Sequence, residues 1–323
     1  MVRRCNRLLV LIRSLILFFW AIVFVIHAPS TLAHNQVVVV PLGSSQQIDL
    51  NNIITVAKTG GDFNRVEDAV DSIDDASPDN PYLVYIAPGE YRLRRTLQMK
   101  SFVRVVGSGS SITILNGRLI SETTSGCLNG IAVVLGGGSG LSDVSIRNTG
   151  SAGETRVGVC DPDTFVSGVN LDRVRIDVRS GTSNYGVISR SGALVRNSSI
   201  VTLGRSGGNE SIGVLSTVVS SDVLLDNTTV SSGEGADGSG SAYAVKLDDS
   251  IEPSITILVE LNNSEINGPV DVGNGAQMLA RNTRFSDLST GVGSKICLFS
   301  SIDSFAGLYS STVLNQDCSL PAP

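Results

Sequence analysis

Histidine is almost missing from this 323-residue chain: His27 and His34 are the only two, and both lie near the N-terminus. Serine–histidine–aspartate triads and cysteine–histidine dyads need an imidazole to move a proton near neutral pH, so both are excluded. Zinc hydrolase motifs fail for the same reason. Tryptophan is as scarce. The single Trp20 sits in the same N-terminal stretch and aromatic residues make up 5% of the chain, so any sugar-stacking surface must draw on tyrosine. Charged residues are few, at 17%, and weighted to acid, with 24 Lys+Arg against 30 Asp+Glu. Nucleic acid therefore lacks the basic surface it needs. Nucleotide loops are missing too, because Gly107-x-Gly109 is not completed by a third glycine and no Gly-Lys-Ser/Thr occurs.

What the chain does have begins with an exported organisation. Arg3, Arg4, Arg7 and Arg13 precede or interrupt an apolar stretch that runs to Ile26, and Thr31-Leu32-Ala33 supplies small residues for a leader peptidase. The expected cut lies between Ala33 and His34. The competing reading is an uncleaved inner-membrane anchor, since an apolar run of about 20 residues would cross a bilayer. Removing residues 1–33 takes four arginines and no acid, leaving 20 Lys+Arg against 30 Asp+Glu. Such a chain repels pectate and other polyanions, although salt screens this beyond about 10 Å and bound calcium reverses it locally. The expected compartment is periplasmic or extracellular, with no membrane contact once the leader is gone.

Cys5 falls in the leader, so Cys127, Cys160, Cys297 and Cys318 remain. An even number in an exported chain permits disulfides, in three possible pairings. Cys127 with Cys160 and Cys297 with Cys318 is the favoured set, because each pair lies about one coil apart; four buried free thiols is the alternative. Neither pair has the spacing of a zinc site, and no metal or cofactor is expected. Calcium is the one ion such acid-based chemistry would accept, and no residue set is assigned to it.

The domain layout reads as a leader over 1–33, an irregular lead-in over 34–52 and a single domain over 53–323. Glycine, at 34 residues, and 41% hydrophobic content describe a turn-rich chain that still buries apolar side chains. Ile53-Ile54-Thr55-Val56-Ala57 reads as a strand. A short helix follows, with Asn64 as its cap, Glu67 three residues on, and Phe63, Val66, Val70 and Ile73 as its stripe. Strands are expected at 82–86, 102–106 and 112–115, with Pro88-Gly89-Glu90 as a turn.

From there one phrase recurs. It runs apolar, polar, Asn or another polar residue, then a short pair ending on a β-branched or aromatic residue. It appears as Leu141-Ser142-Asp143-Val144-Ser145-Ile146 and again from Leu171, Val195, Leu225, Leu261, Ala280 and Leu308. Third positions 143, 173, 197, 227, 263, 282 and 310 are separated by 30, 24, 30, 36, 19 and 28 residues, a period that belongs to solenoids and propellers. Parallel coils tolerate insertions at their corners while the phrase keeps register, so the expected fold is an all-β, right-handed parallel β-helix with a short N-terminal capping helix. An apolar stripe would line its bore, Asn and Ser/Thr would ladder along its axis, and the stretches 136–140 and 231–241 would be corners. A β-sandwich or propeller is the runner-up.

Residues 53–115 carry Gly61-Asp62-Phe63, Val66-Glu67-Asp68-Ala69-Val70, Pro88-Gly89-Glu90-Tyr91 and Val105-Val106-Gly107-Ser108-Gly109. This run, about a fifth of the chain, resembles the N-terminal coil of pectin methylesterases, a carbohydrate esterase family with the pectin lyase-like fold. The remainder resembles exported bacterial β-helix proteins. The resemblance implies the β-helix and, for any activity, pectin esterase or polysaccharide lyase chemistry. The esterase motifs Gln-Asp-Thr, Asp-Phe-Ile-Phe-Gly and Leu-Gly-Arg-Pro-Trp are not intact. Asp163-Thr164-Phe165 lacks the preceding Gln, Leu203-Gly204-Arg205-Ser206-Gly207 lacks Pro-Trp, and Leu93 stands where a Glu is usual.

The remaining chemistry is that of carboxylates, arginine and lysine. Asp161 and Asp163 offer paired acids, Arg205 an echo of the arginine clamp, and Lys246 with Asp248 a base beside an acid. Polar corners routinely hold such residues, so the first expectation is a non-catalytic scaffold or a surface binding a polysaccharide or cell-envelope component. A carbohydrate-active enzyme with degenerate motifs is the alternative.

Overall fold

The computed structural model describes residues 52–117, 127, 130–149, 155–162, 169–217, 222–235, 237–238, 240–247, 258–273, 276–290, 295–299, 301–303 and 307–309. The expected leader with Ala33 and His34, most of the expected lead-in, Asp163, Asp248 and Cys318 fall outside them. Among the described residues no helix is long and apolar enough to cross a membrane.

Most windings lay down three short strands, and equivalent strands of successive windings pair in parallel. The first sheet stacks Ile53–Val56, Tyr82–Ile86, Val103–Gly107, Gly140–Ser142, Val169–Asp172 and five further strands in ten layers. The second runs from Gly89–Arg92 through Thr113–Asn116 and Ser145–Thr149 to Thr229–Gly233. The third contains Leu97–Gln98, Ile131–Val134, Thr155–Cys160, Ser183–Ser189, Glu210–Ser216 and Ser241–Leu247. This is a right-handed parallel β-helix, the hand that twisted strands impose on parallel crossovers.

The recurring phrase maps position by position onto the winding. Its first residues, Leu141, Leu171, Val195, Leu225, Leu261 and Ala280, pair one above another in the first sheet. Its last, Ile146, Ile176, Ile200, Val230, Ile266 and Phe285, do the same in the second. Both columns are buried in one continuous core, and each Val, Leu, Ile or Phe in them contributes about 1.5–3 kcal/mol on leaving water. Between them the third residue turns the chain. Asp143, Arg173, Asn197, Asn227, Asn263 and Asn282 all take a left-handed backbone, with φ between 48° and 57°. Asn and Asp tolerate this conformation because their short polar side chains bond locally, which explains the asparagine preference.

These corners also bond along the axis. Asn227 Nδ2 donates to Asn197 Oδ1 at 2.8 Å and Asn282 Nδ2 to Asn263 Oδ1 at 3.0 Å, while Arg173 reaches Asp143 at 2.7 Å. One residue further inward the hydroxyls of Ser198, Ser264 and Thr283 accept from the backbone N–H of Val174, Thr228 and Ser264 in the winding before. Buried backbone donors are thus satisfied where two strands meet and no sheet bond is available.

The shortest spacing, 19 residues between Asn263 and Asn282, leaves no room for three separate strands. Glu265–Val272 spans the corner instead, pairing with Thr229–Gly233 at its start and with Ser241–Leu247 at its end. Against the next strand, Arg284–Thr290, its register shifts between Ile266 and Pro269, where Gly268 has φ of +135°.

Several expectations need correction. The helix is present but covers Val66–Asp71 with Arg65 at its cap and no side-chain capping bond; Glu67 reaches forward to the backbone N–H of Arg94 at 2.8 Å. Pro88-Gly89-Glu90 is not all turn, since Gly89 and Glu90 pair with Thr113 and Ile114. Ser231–Gly233 belongs to one strand and Ser241 to the next, so that corner is narrower than 231–241. The seventh phrase does not open another parallel winding. Gly307–Tyr309 pairs antiparallel with Ser301–Asp303, and such a hairpin closes an edge that would otherwise offer free backbone groups.

Candidate functional site

The third sheet departs from simple alternation. Val157, Tyr185, Ile212 and Tyr243 form one lateral column, and Cys160, Ile188, Leu215 and Lys246 another. All but the half-buried Tyr243 and Lys246 are buried in a second apolar cluster separate from the bore. Between these columns lie Gly158, Gly186 and Gly213. A Cβ on Gly186 would come within 2.4 Å of Ile200 Cγ2 and 2.5 Å of the Gly213 carbonyl oxygen. Glycine there lets the third sheet press onto the second while Val159, Val187 and Val214 still enter the main core.

Cys127 and Cys160 are disulfide-bonded, with Cα atoms 6.3 Å apart, which fastens Cys127 against this second cluster. Cys297 is also disulfide-bonded, and Cys318 lies outside the described residues.

At the later windings the apolar column gives way to polar groups. The Tyr185 hydroxyl donates to Glu210 Oε1, and Lys246 Nζ lies 3.9 Å from Glu210 Oε2. The same ammonium sits 5.1 Å from the centre of the Tyr243 ring. Burial, and then the Glu210 carboxylate, push the Tyr185 phenol well above its ordinary range, so it stays a hydrogen-bond donor. It holds Glu210 and is no base. Glu210 and Lys246 remain about 30% exposed. The arrangement therefore presents an aromatic ring, an ammonium and a carboxylate edge to a polar ligand, with a second phenol fixing the carboxylate from beneath.

The residues singled out from the sequence are scattered. Asp161 follows a third-sheet strand and is buried, its Oδ2 accepting from both the backbone N–H and the hydroxyl of Ser191. It secures the next winding. Arg205 lies on another corner, between the second and third sheets, where its carbonyl accepts from Gly208 N at 2.9 Å. Lys246 stands within the third sheet. Asp163 and Asp248 are outside the described residues. Among those residues no group of three or more His, Cys, Asp or Glu is placed to hold a metal. Glu210 was missed because it is a lone acid in no motif; in the structure it opens a strand in the register of Ser183 and Ser241.

No family model and no curated protein matches the chain. Solved structures do. Pectin methylesterase PemA from Erwinia chrysanthemi is similar at 12% identity, over 83% of this chain and 92% of that one, with a TM-score of 0.48. A pectin methylesterase from carrot is similar at 13% identity, over 79% and 91%, with a TM-score of 0.42. The A-module of the Azotobacter vinelandii mannuronan C-5 epimerase AlgE6 is similar at 14% identity, over 73% and 83%, with a TM-score of 0.35.

Proposed function

We propose that the protein is exported and non-catalytic, and that the third-sheet face around Tyr243 binds a polysaccharide or another glycan of the cell envelope. The observation that carries this reading is the grouping of half-buried Tyr243 with Lys246 and Glu210. An aromatic body beside polar groups of both signs suits a ligand that is apolar on its ring faces and polar at its rim. Among the described residues, the candidate acid Asp161 is engaged by Ser191, and Glu210 is held by Tyr185 and Lys246.

A glycan array on the mature protein, followed by titration of the best ligand, tests the binding. Tyr243→Ala is expected to weaken it by about tenfold or more. Methanol release from esterified pectin and the absorbance of unsaturated products test for esterase and lyase activity, and turnover in either assay would overturn the non-catalytic reading. N-terminal sequencing of the exported chain is expected to start at His34, and a chain that keeps Met1 in a membrane fraction would favour the anchor.

A further inference from the structure

A second site lies at the opposite end of the winding order, in the first coil. A cavity of about 680 Å³ opens between the helix Val66–Asp71 and the chain that follows Tyr91, within the usual size of a small-ligand pocket. Among the described residues four of its lining side chains are cationic, Lys58, Arg65, Arg92 and Arg94, and Glu67 alone is anionic. This is a local reversal, because the whole chain carries a formal charge of −6.

Of the four cations Arg65 is the paired one, with Glu67 Oε1 at 3.0 Å and Asp68 Oδ2 at 3.5 Å. Glu67 is 2% exposed and accepts from Arg65 Nη2 at 3.0 Å and from the Arg94 backbone N–H at 2.8 Å. It builds the wall. Lys58 lies 4.4 Å above the Tyr91 ring, and among the described residues neither it nor Arg92 nor Arg94 forms an ion pair. The neighbouring Arg95 behaves differently, bonding to Asp68 and Asp71. The Nε of Arg65 is buried and meets no acceptor among the described residues, so this guanidinium keeps a donor that its acidic neighbours leave unsatisfied.

We propose that this cleft binds a small ligand bearing two oxyanion groups. The four cations stand at separate backbone stations, before the helix, ahead of it in the first loop, at a strand end and in the following bend. A single carboxylate engages one or two of them, whereas a dianion spans the lining. Carboxylates of an acidic disaccharide and the phosphates of a diphosphate share this chemistry, and guanidinium groups suit both.

Calorimetric titration of the mature protein with digalacturonate, inorganic pyrophosphate and neutral maltose tests the inference. At least one dianion is expected to bind, more weakly as salt is raised, and which one identifies the source of the oxyanions. The double variant Arg92→Gln/Arg94→Gln, at two exposed positions, is expected to lose about tenfold or more of that affinity with an unchanged melting curve. Tyr243→Ala is expected to leave it intact, which separates this site from the third-sheet face. Binding of neither dianion, maltose binding as tightly, or full affinity in the double variant would overturn the proposal.

Discussion

The two sides of each winding obey different rules. From the first sheet to the second, the six windings whose phrase starts between Leu141 and Ala280 turn on one left-handed residue followed by one buried residue, whether the winding is long or short. Around the third sheet the corners vary in length, and one winding drops its separate third strand altogether. The constant corner positions the core columns and the ladders, so it sets the frame. The variable side carries the glycine column, the disulfide and the tyrosine–glutamate–lysine group, so it is where one winding differs from the next.

The largest expected effect breaks the variable side. Gly186→Val places a branched side chain against Ile200 and the Gly213 carbonyl, and overpacking against backbone is expected to cost about 4 kcal/mol or prevent folding. Urea denaturation measures it. Replacing Cys127 and Cys160 by serine opens a bridge across 33 residues, with an expected loss of about 3 kcal/mol by the same assay.

On the constant side, Ser264→Ala removes the hydroxyl that accepts from Thr228 N at 3.2 Å and donates to the Asn262 carbonyl at 2.7 Å. Leaving that buried N–H bare is expected to cost about 2 kcal/mol. Asn227→Val forces a β-branched residue into the left-handed corner and is expected to cost about 1.5 kcal/mol. Asn227→Gly, which tolerates the backbone, should cost less, and equal losses would show that strain plays no part.

The smallest effect lies in the first coil, before the recurring phrase begins. The Thr55 hydroxyl, then the Thr55 backbone N–H, hold the Asp62 carboxyl below its ordinary value of 3.8. A folded-state value below the unfolded one means stability present above the unfolded pKa and lost as pH falls through the folded one. Carboxyl carbon shifts followed by NMR are expected to show Asp62 titrating below pH 3.8, and Thr55→Val is expected to move it back toward that value.

The same contrast explains what could be read from the amino acids. The columns starting at Leu141 and ending at Ile146 were legible because each winding repeats the chemistry of the turn between them, down to the asparagine its backbone favours. The phrase at Leu308 misled because three residues with the right pattern form a hairpin as readily as a winding. Glu210, Tyr185 and Lys246 were not legible as a group. Their meeting depends on the lengths of two variable corners, and no local pattern encodes those. Asp161 shows the converse, an acid conspicuous in the sequence whose carboxylate holds Ser191 of the next winding.

Stacked parallel windings are the claim beneath everything else, and one distance tests it. Arg147, Asp177, Val201, Ser231 and Asn267 occupy equivalent positions in five successive second-sheet strands. Spin labels on Arg147→Cys and Asn267→Cys, both exposed, should therefore lie four strand spacings apart, about 19 Å. A narrow distribution near that value is expected; a broad one, or one centred beyond about twice that distance, would contradict the stacking.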